Sequence, residues 1–306
     1  MTKTHKMIPL KDLNLTNRFL FDEVMEDPEI HQAVLNIIFS ADIPPLEINQ
    51  TEREERLSPS IRSIRMDVYA IDEEQTVYNT EMQEERKTDL AKRSRYYQAL
   101  IDTGLLEPGV PNYNLLNNSY IITIMPFDLF GYKKYVYTFE SRCREVPECI
   151  LKDGAVRIFL NTKGMNNDEI STELREFLHY IENTTDDVVS QSESCNIRKI
   201  HERVCKVRTS EEVGVKYMQA WEEKYFAMEE AREIGMAEGR EVGLELGRAE
   251  GRAEGRAEGR AEGQSFKMRE LIEKKLKKGK ALDIIADELE EELSVIEKIV
   301  AEMKKE

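Results

Sequence analysis

The sequence predicts an α/β core followed by a helical tail built on a glycine repeat. Three observations lead there: apolar residues at three- and four-residue spacing near the start, a hairpin of two alternating runs around a polar turn, and a glycine at every fourth position from 235 to 263. At 306 residues the chain can hold one large domain or two small ones.

Residues 8–40 read as helical. In DPEIHQAVLNIIF, Ile30, Val34, Ile37 and Ile38 share one face, and Asp27-Pro28 is a start signal. Residues 41–60, with Pro44-Pro45 and TEREERLSPS, read as loop. IRMDVYAI, the turn DEEQ and TVYNTEMQ form the hairpin, and KTDLAKRSRYYQALIDTGLL follows as a helix. NSYIITIMPF is a buried-strand candidate, and KKYVYTFESR and AVRIFLNT are two more strands. From about 167 the pattern is helical, broken at ENTTDDVVSQSES.

The tail closes as GRAEGRAEGRAEGRAEG. Its period of four excludes collagen, which needs glycine at every third residue. Each glycine costs a helix about 1 kcal/mol relative to alanine, and a four-residue period drifts about 40° per step around a helix. The glycines then trace a slowly winding stripe; a flexible charged linker is the other reading of the same text. After the repeat, residues 266–303 read as two or three short helices, with Gly279 at the first break and Ser294 capping the last. The expected division is a core over 1–228 whose C-terminal part is helical from about 167, the repeat over 229–265, and a small helical segment over 266–306.

A net charge of −16 excludes a broadly basic, nucleic-acid-coating surface, so any such contact must come from a local patch or be helped by cations. The longest apolar stretches, YIITIMPF and LNIIF, are too short to cross a bilayer, and MTKTHKMIPLKDLN lacks the apolar centre of a secretory signal. Cys143, Cys149, Cys195 and Cys205 form no CxxC pair, which points to free thiols and a cytoplasmic location. Cys195, His201 and Cys205 lack a fourth zinc partner at sensible spacing.

The hairpin carries the chemistry. With its turn centred on Glu74, positions summing to 148 face each other, so Asp67 meets Glu81 on one face. Alternation puts Asn79, Glu81 and Gln83 on that face and Tyr78, Thr80 and Met82 on the other. Two carboxylates that close repel, and a hard divalent cation such as Mg²⁺ or Mn²⁺ removes the penalty. A solvated acidic hairpin face is the bland reading of the same pair.

The text MDVYAID…YNTEMQ resembles the core of the PD-(D/E)xK nuclease superfamily, in which an Asp opens one strand and a (D/E)-x-K pair lies on the next. More narrowly the chain resembles the recombination-promoting nucleases (Rpn), also called PD-(D/E)xK nuclease family transposases. NRFLFDEVMEDPE, RMDVYAIDEEQTVYNTEMQEE, LAKRSRYYQALID, YIITIMPFDLFG with YVYTFESRC, LKDGAVRIFLNTKG and KVRTSEEVGVKYM carry the likeness, in order, over roughly residues 8–230. It implies a restriction-endonuclease-like mixed sheet flanked by helices and a Mg²⁺-dependent DNA endonuclease.

Carried over by position, Asp67 and Glu81 match the metal ligands, with Met66 in place of the superfamily's Pro. Gln83 falls where most of the superfamily has Lys; a glutamine orients water by hydrogen bonds, whereas lysine also offsets phosphorane charge. Glu23 is a further candidate for the metal shell, with Asp22 beside it. Arg93, Arg95, Tyr96 and Tyr97 are candidates to grip phosphates and stack on bases, and Lys87 to supply charge from a shifted position. The glycine tail implies a homodimer, with the apolar positions of 266–303 supplying its hydrophobic contact. The alternative function is a catalytically impaired nuclease fold acting as a DNA-binding or regulatory oligomeric module.

Overall fold

A computed structural model describes residues 7–55, 63–106, 109 and 111–303. The chain forms two compact units, residues 1–222 and 223–306.

The first unit opens with two helices whose ends are set by their own side chains. Asn17 caps α1 (Arg18–Met25) by accepting from the Leu20 amide at 3.4 Å. Asp27 caps α2 (Pro28–Phe39) by accepting from the Glu29 amide at 3.1 Å, with Pro28 at the first helical position. Four strands follow around one helix: β1 (Leu46–Glu55), β2 (Ile64–Asp72), β3 (Val77–Met82), α3 (Leu90–Leu105) and β4 (Ser119–Met125). Two further strands, β5 (Val136–Phe139) and β6 (Ala155–Asn161), precede α4 (Thr172–Glu182), α5 (Asp186–Ser190), α6 (Cys195–Thr209) and α7 (Glu211–Leu276).

The six strands form one mixed sheet in the order β1-β2-β3-β4-β6-β5. β1, β2 and β3 pair antiparallel, β3–β4 and β4–β6 pair parallel, and β5 closes the far edge antiparallel to β6. The β2–β3 hairpin has the expected register: Ile71 faces Val77, Tyr69 faces Asn79 and Val68 faces Thr80. Its turn is tied by Asp72, whose Oδ1 accepts from the Thr76 amide at 2.8 Å, and by Gln75 at φ +64°.

Alternation along the strands divides the core in two. Val68, Ala70, Tyr78, Met82, Ile122 and Ile124 pack with α1, α2, α4 and α6. On the opposite face Tyr69, Val77 and Ile121 pack against Tyr97, Leu100 and Ile101 of α3. The sheet is thus covered on both faces.

β1 corrects the expected loop over 41–60. Its text, LEINQTEREE, carries no buried-strand pattern because it is an edge strand: backbone pairing to β2 holds it, and charged side chains protect its free edge. The LSPS portion of that expected loop lies outside the described residues.

In the second unit the glycine repeat is helical and belongs to α7. A Cβ built on any glycine from 235 to 263 meets nothing within 4 Å. Ile272 of α7, Ile285 and Ala286 of α8 (Leu282–Leu289), and Ile296 and Val300 of α9 (Leu293–Met303) form a small core of their own. Most apolar positions of 266–303 are therefore packed within the chain, while Phe266, Ile284, Leu293 and Val295 remain exposed. Gly279 turns the chain after α7 at φ +75°, as expected. Ser294 does not cap the last helix: α9 begins one residue earlier, and the Ser294 hydroxyl donates to Glu292 Oε2 at 3.3 Å. Among the described residues no helix is long and apolar enough to cross a membrane.

Candidate active site

The hairpin ladder ends at Val68–Thr80, and at the next step side chains take over from backbone. The Asp67 amide donates to Glu81 Oε1 at 3.1 Å, and Asp67 Oδ2 accepts from the Met82 amide at 2.9 Å. Each carboxylate is thereby anchored by the other's strand. Both are nearly sealed from solvent, at 1% and 5% exposure. The expected faces are also seen: Asn79 Nδ2 donates to Glu81 Oε1 at 3.3 Å, whereas Thr80 meets His31 of α2 on the other side.

A third acid joins the pair, and it is Asp22, not Glu23. α1 runs past the end of the hairpin and turns residues 18 and 22, one helical turn apart, towards it. Arg18 Nη2 lies 2.5 Å from Asp67 Oδ1, and its Nε lies 3.5 Å from Asp22 Oδ2. Glu23 points elsewhere, its Oε2 lying 3.7 Å from Lys216 Nζ. Consecutive helix residues diverge by about 100°, so only one of Asp22 and Glu23 can reach the sheet.

Arg93 enters from α3 and binds three groups at once. Its Nη2 donates to Glu81 Oε2 at 2.9 Å, its Nη1 to Gln83 Oε1 at 3.0 Å and its Nε to the Tyr97 hydroxyl at 2.9 Å. Gln83 spends its amide group on the Glu85 carbonyl at 2.7 Å. Tyr97 is buried and its ring lies beside the Arg93 guanidinium, so it fixes that arginine and offers no free face for stacking. Arg95 is exposed on the outer side of α3, away from the cluster.

Burial raises all three carboxyl groups above the usual carboxylate range. For Asp22 and Glu81 the negative charge of Asp67 adds to that rise, and for Asp67 the nearby Arg18 guanidinium works against it. Three acids face two guanidinium groups, so ionising all three would leave an excess of buried negative charge that the raised pKa values resist. Asp22 Oδ1 is also buried with no hydrogen-bond partner. An all-oxygen donor set with surplus negative charge and an unsatisfied oxygen fits a hard divalent cation.

Next to this cluster lies a cleft of about 540 Å³. Arg18, Arg65, Lys87, Lys92 and Arg93 line it, with Asp89, Tyr96 and Tyr97. On a chain of net charge −16 this is a local basic patch of the kind the composition requires.

Residues 16–231 match the family model of the PD-(D/E)XK nuclease family transposases. The chain belongs to that family. The match covers well over half the sequence, the recombination-promoting nucleases are members of the same family, and the six-stranded mixed sheet flanked by helices is consistent with its restriction-endonuclease-like fold. Membership supports a nuclease-type function, with DNA as the substrate class and divalent metal as the general requirement of such nucleases. Comparison with curated proteins and with solved structures gives no significant match.

Arg18 escaped the sequence reading, and Asp22 stood only as an alternative to Glu23. The available signal was their i, i+4 spacing on an N-terminal helix, which many surface pairs share. What selects them is the crossing of α1 over the end of β2, a tertiary fact.

Proposed function

We propose that this chain is a Mg²⁺-dependent DNA endonuclease that hydrolyses phosphodiester bonds, with Mn²⁺ as a workable substitute, related to the recombination-promoting nucleases. The observation that carries the reading is the convergence of Asp67, Glu81 and Asp22 beside a cleft lined by five basic side chains. Asp67 and Glu81 would hold the metal with Asp22 as the third acid. When bound, the metal supplies Lewis acidity and a water of lowered pKa.

The chain's own residues do the rest. Lys87, Lys92 and Arg65 bind the phosphate backbone along the cleft, and Tyr96 lies at its wall. Arg93 brings to Gln83 the positive charge that lysine supplies at that position in most of the superfamily, where it offsets charge on the phosphorane. Gln83 then positions Arg93, and its spent amide group makes it a poor orienter of water.

The protein works as a homodimer in this reading, through the second unit. Exposed apolar side chains along α7, among them Ile234, Met236, Val242, Leu244 and Leu246, accompany the glycine stripe. Paired sites suit one cut in each strand of a duplex.

One observation favours the alternative, a DNA-binding module without catalysis: both carboxylates already have arginine partners. Purified protein incubated with supercoiled plasmid and Mg²⁺ separates the two. Nicking that disappears in Asp67→Ala and in Glu81→Ala is expected. Plasmid binding without nicking in the wild-type protein would instead establish the binding module.

A further inference from the structure

On the helical part of the first unit, three side chains outside the carboxylate cluster converge on one point. We propose that Asp186, His201 and Cys205 form a second metal site, selective for Zn²⁺ over Mg²⁺. Their donor atoms all lie within 4.8 Å of one another. His201 Nε2 is 2.8 Å from Asp186 Oδ1 and 3.5 Å from Cys205 Sγ. Zinc bonds of about 2.0–2.3 Å arranged tetrahedrally put nitrogen and oxygen about 3.3 Å apart, and nitrogen and sulfur about 3.6 Å apart. The two edges at His201 lie within about half an ångström of these values, and the exposed Asp186 and Cys205 side chains, within 4.8 Å of one another, are free to close the third.

The sequence places these donors without strain. His201 and Cys205 are four residues apart on one face of α6, and Asp186 opens α5 across the polar break. Cys195, which the sequence sets beside His201 and Cys205 without a fourth partner, is not among them; the third donor comes from a different element, which spacing along the chain could not show. The Tyr180 hydroxyl lies 2.9 Å from His201 Nδ1. With the proton on Nδ1 donated to Tyr180, the Nε2 lone pair is held towards Asp186 and Cys205, as an outer hydrogen bond does for a metal-ligating histidine.

A nucleophilic Cys–His–Asp relay is excluded by the same contacts. Such a relay needs cysteine and aspartate on opposite ring nitrogens, and here both meet Nε2. One thiolate, one imidazole and one carboxylate form a soft, mixed set that prefers zinc, whereas the Asp22–Asp67–Glu81 cluster offers oxygen alone. Asp186 and Cys205 are exposed, so the ion can enter and a water can complete the fourth position.

Titrating the full-length protein with Co²⁺, a spectroscopic stand-in for Zn²⁺, tests the site. A thiolate-to-cobalt charge-transfer band is expected to saturate at about one equivalent, to vanish on adding Zn²⁺ and to persist in excess Mg²⁺. The band reports sulfur ligation, so metal at the carboxylate cluster does not contribute. Cys205→Ser should abolish it, Asp186→Asn should weaken Co²⁺ binding by about tenfold or more, and Cys195→Ser should leave it intact. Because Cys205 and Asp186 are exposed, both variants should fold with wild-type circular dichroism. Absence of the band in the wild-type protein, its survival in Cys205→Ser, or its loss in Cys195→Ser would overturn the proposal.

Discussion

Asp67 shows how a single side chain can serve the fold and the proposed chemistry in opposite directions. Its Oδ2 accepts from the Met82 amide and so replaces a backbone ladder bond. Its charge, however, sits among two other buried acids, all three held above the usual carboxylate range. Asp67→Asn keeps an acceptor for Met82 and removes one negative charge. It should therefore leave the metal-free melting temperature equal or higher while abolishing cleavage, and it should erase the rise in melting temperature that Mg²⁺ gives the wild-type protein. Differential scanning calorimetry with and without Mg²⁺ reads both effects. A marked drop in the metal-free melting temperature would mean that Asp67 is chiefly structural. Arg93 makes a second case. Arg93→Ala should lower the cleavage rate by about 10²-fold or more at saturating DNA. Arg93→Lys should recover only part of that loss, because one ammonium cannot span Glu81, Gln83 and Tyr97. Equal rates for all three proteins would remove Arg93 from the site.

Between α2 and the sheet, His31 is fully buried, with Nδ1 2.7 Å from Asn49 Oδ1 and Nε2 3.0 Å from Thr80 Oγ1. Burial lowers its pKa from 6.5 to about 4. A histidine whose folded pKa is depressed takes up its proton more readily when unfolded, so its contribution to stability is full above pH 6.5 and falls between pH 6.5 and 4. The loss sums to about 3 kcal/mol at about 1.4 kcal/mol per pH unit. Comparing wild type with His31→Gln isolates this effect from the titrating acids: the stability difference in urea melts should shrink by that amount from pH 7.5 to pH 4. A constant difference would show that His31 is protonated in place. The repeat in α7 offers a second test at this scale. Gly251→Ala with Gly255→Ala adds methyl groups where nothing lies within 4 Å, so the helix should gain up to about 1 kcal/mol per site. If the stripe is the dimer contact, the same change should weaken association.

For the molecule as a whole, the two units pose separate questions. Residues 1–222 contain the sheet, the carboxylate cluster and the basic cleft, and residues 223–306 contain the repeat and the small three-helix core. In sedimentation, the full chain should form a dimer at tens of micromolar, and a chain ending near residue 228 should be monomeric yet still folded. A full-length chain that stays monomeric would leave the stripe a solvent-exposed helix face and move any double-strand cleavage to sequential nicks. Ile272, Ile285, Ile296 and Val300 are used within one chain, so a dimer would have to draw on the exposed apolar side chains of α7 together with Ile284, Leu293 and Val295.

The sequence by itself determined the hairpin. Its turn residues and alternation set the register in which positions sum to 148, and that register places Asp67 across from Glu81 because the side-chain period of a strand is two. It also set the helix start at Asp27, whose capping contact reaches only two residues along the chain, whereas Asn17 starts α1 inside what reads as one helical stretch. The hairpin turn and the Asp27 cap are local interactions, and local text specifies them. Tertiary structure alone decided that β1 is a strand, since an edge strand is held by its neighbour's backbone and its side chains need not be apolar. It decided that Asp22 and Arg18 meet Asp67, and that Asp186 meets His201 and Cys205, because those choices depend on how helices cross elements far away in sequence. It decided, too, that Tyr97 supports Arg93 from within, a matter of burial that a tyrosine on an amphipathic helix leaves open.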